Sequence, residues 1–177
     1  MSNLDLTQKK TYLGAKRNTK IPHLVQYQGS KRSLALQILN FLPTKFERLV
    51  EPFAGSAALS IACAFHNRTD SFWLNDLNAP LINLLREAIE DPDSLVESYA
   101  KLWSEQFSFQ GSHLEHYYRV RESFNLGDQD PANMLYLLAR CVKGAVRYNK
   151  NGNFSQSPDK RRHGLKPQNL AINTFEI

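Results

Sequence analysis

The chain has 177 residues, 42% hydrophobic and 22% charged, with a formal net charge of +5. Those proportions suit one folded domain, or one domain with an insertion, able to bury a core without staples. They exclude a disordered chain, a collagen and a disulfide-rich miniprotein, and the short apolar runs, such as residues 134–139, exclude a membrane helix of roughly 20 residues.

In chain order, residues 1–21 are polar and basic and read as a flexible tail. Ser30 is a plausible N-cap for a helix carrying Leu34, Ala35, Ile38, Leu39 and Leu42, stopped by Pro43. Residues 48–50 read as a short buried strand. They run into Glu51-Pro52-Phe53-Ala54-Gly55-Ser56-Ala57-Ala58, a turn of small residues, and a compact apolar helix follows over residues 57–65. A second strand is expected at residues 71–74, ending on Asn75-Asp76. Strand, small-residue turn, helix, strand is the opening of an α/β fold with a doubly wound sheet.

Helices follow. Asn78 and Pro80 start one with Leu81, Leu84, Leu85 and Ala88 on a single face. Asp91-Pro92 starts the next, with Leu95, Val96, Tyr99, Leu102 and Trp103 in register. Residues 113–124 form a third, and Asp130-Pro131 opens a fourth with Leu135, Leu138, Ala139 and Val142 facing inward. Asn151-Gly152 marks a tight turn in a polar loop. Residues 170–177 alternate like a strand. Cys63 and Cys141 lie in apolar helical segments and read as buried free thiols of a reducing cytoplasm; the N-terminus has no signal-peptide hydrophobic region.

Charge is concentrated. Seven bases fall within residues 143–166 (Lys143, Arg147, Lys150, Lys160, Arg161, Arg162 and Lys166) against one acid, Asp159. Such a segment suggests a polyanionic partner. The glycine turn suggests a ligand: small residues let a backbone approach closely, and the helix N-terminus behind them adds its dipole. Asp76 lies 21 positions beyond Gly55, where an acid can bind the hydroxyls of a ribose. The turn has one glycine only, and Glu51 would repel a pyrophosphate. A zwitterionic or cationic nucleoside cofactor such as S-adenosyl-L-methionine fits better. Gln28-Gly29-Ser30-Lys31 lacks the spacing of a phosphate loop. His113 and His116, three apart, have no third ligand placed to help, so no metal is expected.

Four motifs in order then resemble one family. Tyr27-Gln28-Gly29-Ser30-Lys31 resembles the opening motif of the Dam-like DNA N6-adenine methyltransferases. Glu51-Pro52-Phe53-Ala54-Gly55-Ser56 resembles their cofactor motif, and Asn75-Asp76-Leu77-Asn78 their ribose motif. Arg147-Tyr148-Asn149, with Gly152-Asn153-Phe154-Ser155 after it, resembles their DNA-contacting loop. The resemblance covers residues 22 to about 170.

It implies a partial Rossmann-like sheet with a helical target-recognition insertion. Residues 22–80 would be the cofactor-binding half, residues 81–165 the insertion, and residues 166–177 a strand returning to the sheet. Tyr27 would lie against the cofactor, and Lys31 would reach its carboxylate or brace the pocket. Glu51 and Gly55 would receive the methionine end, Phe53 would wall the pocket, and Asp76 would bind the ribose. The family usually has a second glycine where Ala57 stands. Arg147, Lys160, Arg161 and Arg162 would meet phosphates of double-stranded DNA. Asn149 or Asn153 would read bases or orient the backbone, and Tyr148 and Phe154 would stack where a base is extruded. The reaction would be direct in-line methyl transfer from a sulfonium to the adenine amine, without metal.

The family's Asp-Pro-Pro-Tyr motif, which accepts the amine's hydrogen bonds and stacks on the flipped base, occurs nowhere in these residues. Asp91-Pro92-Asp93 and Asp130-Pro131-Ala132 are helix starts. No catalytic residue is therefore assigned here. The expectation is one half of a split enzyme, inactive alone, whose second chain brings the catalytic motif and covers an edge strand at residues 170–177. The alternative is a non-catalytic DNA-binding or regulatory subunit of the same ancestry.

Overall fold

A computed structural model describes residues 21–175; the expected basic tail before Ile21 and the last two residues lie outside the described residues. The element order is α1 (Arg32–Leu39), β1 (Leu49–Glu51), α2 (Ala58–Phe65), β2 (Phe72–Leu74), α3 (Ala79–Glu90), α4 (Pro92–Ser108), α5 (His113–Asn125), α6 (Pro131–Arg140), a 3-10 turn (Val142–Gly144) and α7 (Pro167–Phe175). The protein is thus mixed α/β, with a two-stranded sheet among the described residues. The strands are parallel, Val50 opposite Trp73, joined by the α2 crossover.

Two apolar cores follow from the pattern of side chains. The smaller lies on one face of the sheet. It gathers Ile21, Ala35, Leu39, Ala57, Ile61, Ala62, Cys63 and Leu85, with Leu49, Phe72 and Leu74 of the strands against it. The opposite face is only partly covered among the described residues: Val50 is 50% and Trp73 63% exposed. The larger core is helical. Helix α6 is its axis, with eight of its ten residues buried, Arg140 among them. A helix apolar nearly all round belongs in an interior, so the one-sided packing expected for it is replaced by contact with α3, α4 and α5. Helix α3 joins the cores, sending Leu81, Leu84 and Ala88 into the larger and Leu85 into the smaller.

Local chemistry sets the helix starts. Asp91 accepts from the Ser94 N–H and Asp130 from the Ala132 N–H. Ser112 and Glu115 form a reciprocal capping box at α5, worth about 1 kcal/mol. Two expectations fail near α1. The N-cap position is Lys31 and not Ser30, although the Ser30 hydroxyl accepts from the Arg32 N–H at 3.3 Å, and Leu34 is 45% exposed.

The larger correction is at the C-terminal end. Residues 167–175 form helix α7, not a returning strand. Leu170 and Thr174, four apart, are both buried, and the Thr174 hydroxyl donates to the Leu170 carbonyl. Helix α7 packs on α4. Pro167 at the start favours a helix, and a short alternating run also satisfies an i, i+4 pattern. The edge strand that a second chain was expected to cover therefore does not exist there.

The loop between α6 and α7 is anchored at its base. Gly144 sits at φ 59, and its carbonyl accepts from the Gln28 N–H at 2.8 Å. A Cβ at Gly144 would fall 2.2 Å from the Gln26 carbonyl oxygen. Gly144→Ala should therefore cost about 3 kcal/mol, combining overpacking with left-handed strain. Gly152→Ala, at φ 78 with open space around it, carries the strain alone, about 1 kcal/mol. Urea unfolding of the two variants tests this; equal losses would contradict the packing account.

His116 is buried in the larger core. Its Nδ1 is hydrogen-bonded to the Tyr136 hydroxyl at 3.0 Å, and its Nε2 lies 3.8 Å from Glu105. Burial holds its pKa below 6.5 despite the pull of Glu105. The folded form thus takes up its proton later than the unfolded chain. Its stabilising contribution is complete above pH 6.5 and is lost as pH falls through the lower folded value. Thermal unfolding midpoints should drop on acidification below that pH, and His116→Gln should flatten part of the drop.

Candidate cofactor and nucleic-acid site

The candidate site forms where the turns after β1 and β2 meet. The Ala54 N–H donates to the Asn75 carbonyl at 2.8 Å, and the Asn75 N–H to the Glu51 carbonyl at 2.9 Å. Asp76 then links the two turns through its side chain. Oδ2 accepts from the Gly55 N–H at 2.8 Å, and Oδ1 from the Asn78 N–H at 3.0 Å. Each oxygen keeps lone-pair capacity for a further donor.

The turn is left-handed at Gly55 (φ 51) and at Ala57 (φ 52). Ala57, standing where the resembling family usually has glycine, thus adopts the backbone that glycine would take. Tyr27 packs over the turn, its ring 3.8 Å from where a Gly55 Cβ would lie. Its phenol pKa is raised by burial and, secondarily, by the Asp76 charge.

Other expected cofactor residues behave differently. One Glu51 oxygen, Oε2, accepts from the Ser60 N–H at 2.9 Å and from the Ser60 hydroxyl. Glu51 therefore caps the first turn of α2. Lys31 is exposed, its Nζ 3.4 Å from the Gly29 carbonyl. Phe53 is 90% exposed.

Two hollows flank Tyr27. One is a cavity of about 20 Å³ bordered by Ser30, Ser56 and Ala58. The other is an open groove of about 520 Å³ bordered by His23, Tyr27, Ser30, Arg32 and Leu36. Gly55 and Asp76 border neither and are half-buried. Their chemistry fits a nucleoside: a carboxylate with spare lone pairs for a diol, a turn without bulky side chains, and an aromatic face.

The basic loop projects beside these residues. Tyr148 and Phe154 pair across it as an isolated bridge. The Asn149 N–H donates to the Asn153 carbonyl, and Asn149 Oδ1 accepts from the N–H groups of Asn151 and Asn153. Asn149 therefore shapes the turn. Arg147, Lys150, Asn153, Lys160 and Arg161 are exposed.

One expected DNA contact, Phe154, belongs to the framework, and another, Arg162, is hydrogen-bonded to the framework while its side chain stays 43% exposed. Phe154 is 1% exposed, packed edge-on against Phe124 and Tyr148. The Asn125 amide holds its backbone at both N–H and carbonyl, so its ring is not offered to a base. Arg162 donates to Asp159 at 2.8 Å, to Gln26 Oε1 at 3.1 Å and to the Cys141 carbonyl at 3.3 Å. It braces the loop against the Tyr27 segment. His113 meets His163 edge-on, ring centroids 4.6 Å apart, and no group of three metal-ligating side chains occurs among the described residues.

The family model for D12 class N6 adenine-specific DNA methyltransferases matches residues 27–175. The chain belongs to that family. It is 31% identical over 137 residues to the Retron Ec67 DNA adenine methylase of Escherichia coli, spanning 75% of this chain and 45% of that protein. The DNA adenine methylase of Serratia marcescens is 28% identical over 134 residues, 74% of this chain and 46% of the relative. The type II methyltransferase M.MjaIII of Methanocaldococcus jannaschii is 27% identical over 143 residues, 74% and 50% respectively. The chain thus spans about half the length of these relatives.

Sequence reasoning missed Asn78 as more than a helix start. Its side chain makes no capping bond to α3 and instead accepts from the Tyr148 hydroxyl at 2.9 Å. Only its neighbourhood to Asp76 could have flagged it.

Asp76→Asn tests the turn itself. The amide has one oxygen for two backbone donors held by separate atoms. Folding stability should fall by about 1–3 kcal/mol in denaturant titration, the cost of an unpaired donor.

Proposed function

We propose that this chain is the cofactor-binding and DNA-contacting part of a site-specific DNA adenine N6-methyltransferase that uses S-adenosyl-L-methionine. The observation that carries the reading is the Asp76 carboxylate bridging Gly55 and Asn78 under the Tyr27 ring. When bound, that cofactor supplies a methyl group already activated on a sulfonium. Asp76 would take the ribose hydroxyls, Tyr27 would lie against the cofactor, and Gly55 would let the backbone approach it. The Glu51 oxygen not engaged with Ser60 would face the methionine end. Residues 22–80 act as the cofactor half of a Rossmann-like domain and residues 81–165 as the target-recognition insertion.

Double-stranded DNA is the second partner. Arg147, Lys150, Lys160 and Arg161 leave the loop as exposed cations suited to phosphates. Tyr148, 38% exposed, offers the loop's available aromatic ring. Asn153, exposed like Asn149 and Asn151, would offer an amide to base edges or backbone.

Chemistry on the adenine amine needs the Asp-Pro-Pro-Tyr segment, which these residues lack. We assign it to polypeptide outside them, in the split form to a second chain. Two features support an additional covering layer. Gly55 and Asp76 are only half-buried, and one face of a parallel sheet is partly exposed at Val50 and Trp73, whereas parallel sheets are normally covered on both faces.

Calorimetric titration with S-adenosylmethionine should detect binding, and Asp76→Ala should weaken it at least tenfold. Co-expression with a chain bearing Asp-Pro-Pro-Tyr should yield methylated adenine in DNA, while this chain alone yields none. Salt-dependent duplex binding without any cofactor binding would reject the enzyme reading in favour of a DNA-binding subunit.

A further inference from the structure

The arm between α6 and α7 touches the cofactor segment at its base and near its tip. The base contacts are buried or multiple: Gln28 N–H to the Gly144 carbonyl, and Arg162 to Gln26 Oε1 and the Cys141 carbonyl. They hold the root of the arm in place. Near the tip, among the described residues, the Tyr148 hydroxyl donates to Asn78 Oδ1 at 2.9 Å, across 70 positions of sequence, and the Tyr148 phenol also lies within electrostatic reach of Tyr27.

The hydrogen bond to Asn78 continues into the candidate site. The Asn78 N–H donates to Asp76 Oδ1, and Asp76 Oδ2 accepts from the Gly55 N–H. Tyr148, Asn78, Asp76 and Gly55 therefore form an unbroken relay from the arm to the glycine turn. Asn78 stands at the N-cap position of α3 yet makes no capping bond; its side chain serves the arm. The Tyr148 phenol, its pKa pushed up to about 12 mainly by burial, stays a neutral donor near neutrality.

We propose that Tyr148 is a positioning residue whose hydroxyl, through Asn78, couples the DNA-contacting arm to the cofactor turn, so that each ligand tightens the binding of the other. The inference rests on the function proposed above. The geometry gives its direction. The hydrogen bond holds the arm tip and the residue 76–78 turn in one arrangement, so ordering either end lowers the entropic cost of ordering the other. The coupling is reciprocal by thermodynamic linkage. One neutral hydrogen bond sets its size at about two- to tenfold.

The test measures S-adenosylhomocysteine affinity by calorimetry with and without a short mixed-sequence duplex, on the 177-residue chain. Duplex affinity without cofactor is measured beside it. Tyr148→Phe keeps the ring against Phe154 and removes the hydroxyl alone. Wild type should show the two- to tenfold linkage. Tyr148→Phe and Asn78→Ala should each bring it to about one. The double variant should be no worse than either single one. An unchanged linkage in Tyr148→Phe, or additive effects of the two substitutions, would overturn the coupling. Wild type binding both ligands with no linkage would also overturn it while leaving the proposed function intact. Wild type binding neither ligand would overturn both.

Discussion

The arrangement depends on one carboxylate. Asp76 lies at the end of a strand only three residues long, beside another equally short. Such strands hold little by pairing alone. By accepting from Gly55 through one oxygen and from Asn78 through the other, Asp76 joins the turn entering α2 to the turn entering α3. Each is a helix start, where backbone N–H groups lack intrahelical partners. The same group that stabilises two exposed turns thus presents its remaining lone pairs beside a bare backbone and an aromatic face. Stability and ligand chemistry share one side chain.

The basic loop shows how charge and framework are divided. Net charge alone marks residues 143–166 as one patch, but its members do different things. Arg162 braces the loop against the Tyr27 segment through three hydrogen bonds while its side chain stays 43% exposed. Arg140, just before the loop, is fully buried and donates to the carbonyls of Asp159 and His113. Exposed cations such as Arg147, Lys150, Lys160 and Arg161 remain for a polyanion to meet, with Lys143 and Lys166 also exposed. The two aromatics divide likewise, with Phe154 in the core and Tyr148 beside Asn78.

The sheet is asymmetric in the same sense. One face carries a small core built from α1, α2 and α3, while the other exposes Val50 and Trp73. The helical core is closed and is centred on α6. Among the described residues, the helices thus pack closely on one another, while one face of the sheet is partly exposed.

How much was legible in the sequence follows from the range of each interaction. Helices α3 to α6 were readable, because 3.6-residue periodicity and the Asp-Pro starts are local signals. So were the two strands, the glycine turn, and Asp76 at the right distance from it. Residues 167–175 were not, because a short run of alternating apolar residues fits either period until a partner surface exists. Packing of Leu170 and Thr174 against α4 decided for a helix. The roles of Phe154, Arg162 and Asn78 were equally beyond local pattern. Arg162 meets Gln26 across 136 positions and Tyr148 meets Asn78 across 70. Residue type and spacing determined which chemistry this chain carries; tertiary packing alone decided which of those side chains face a ligand, since burial and long-range hydrogen bonds arise only once the cores have closed.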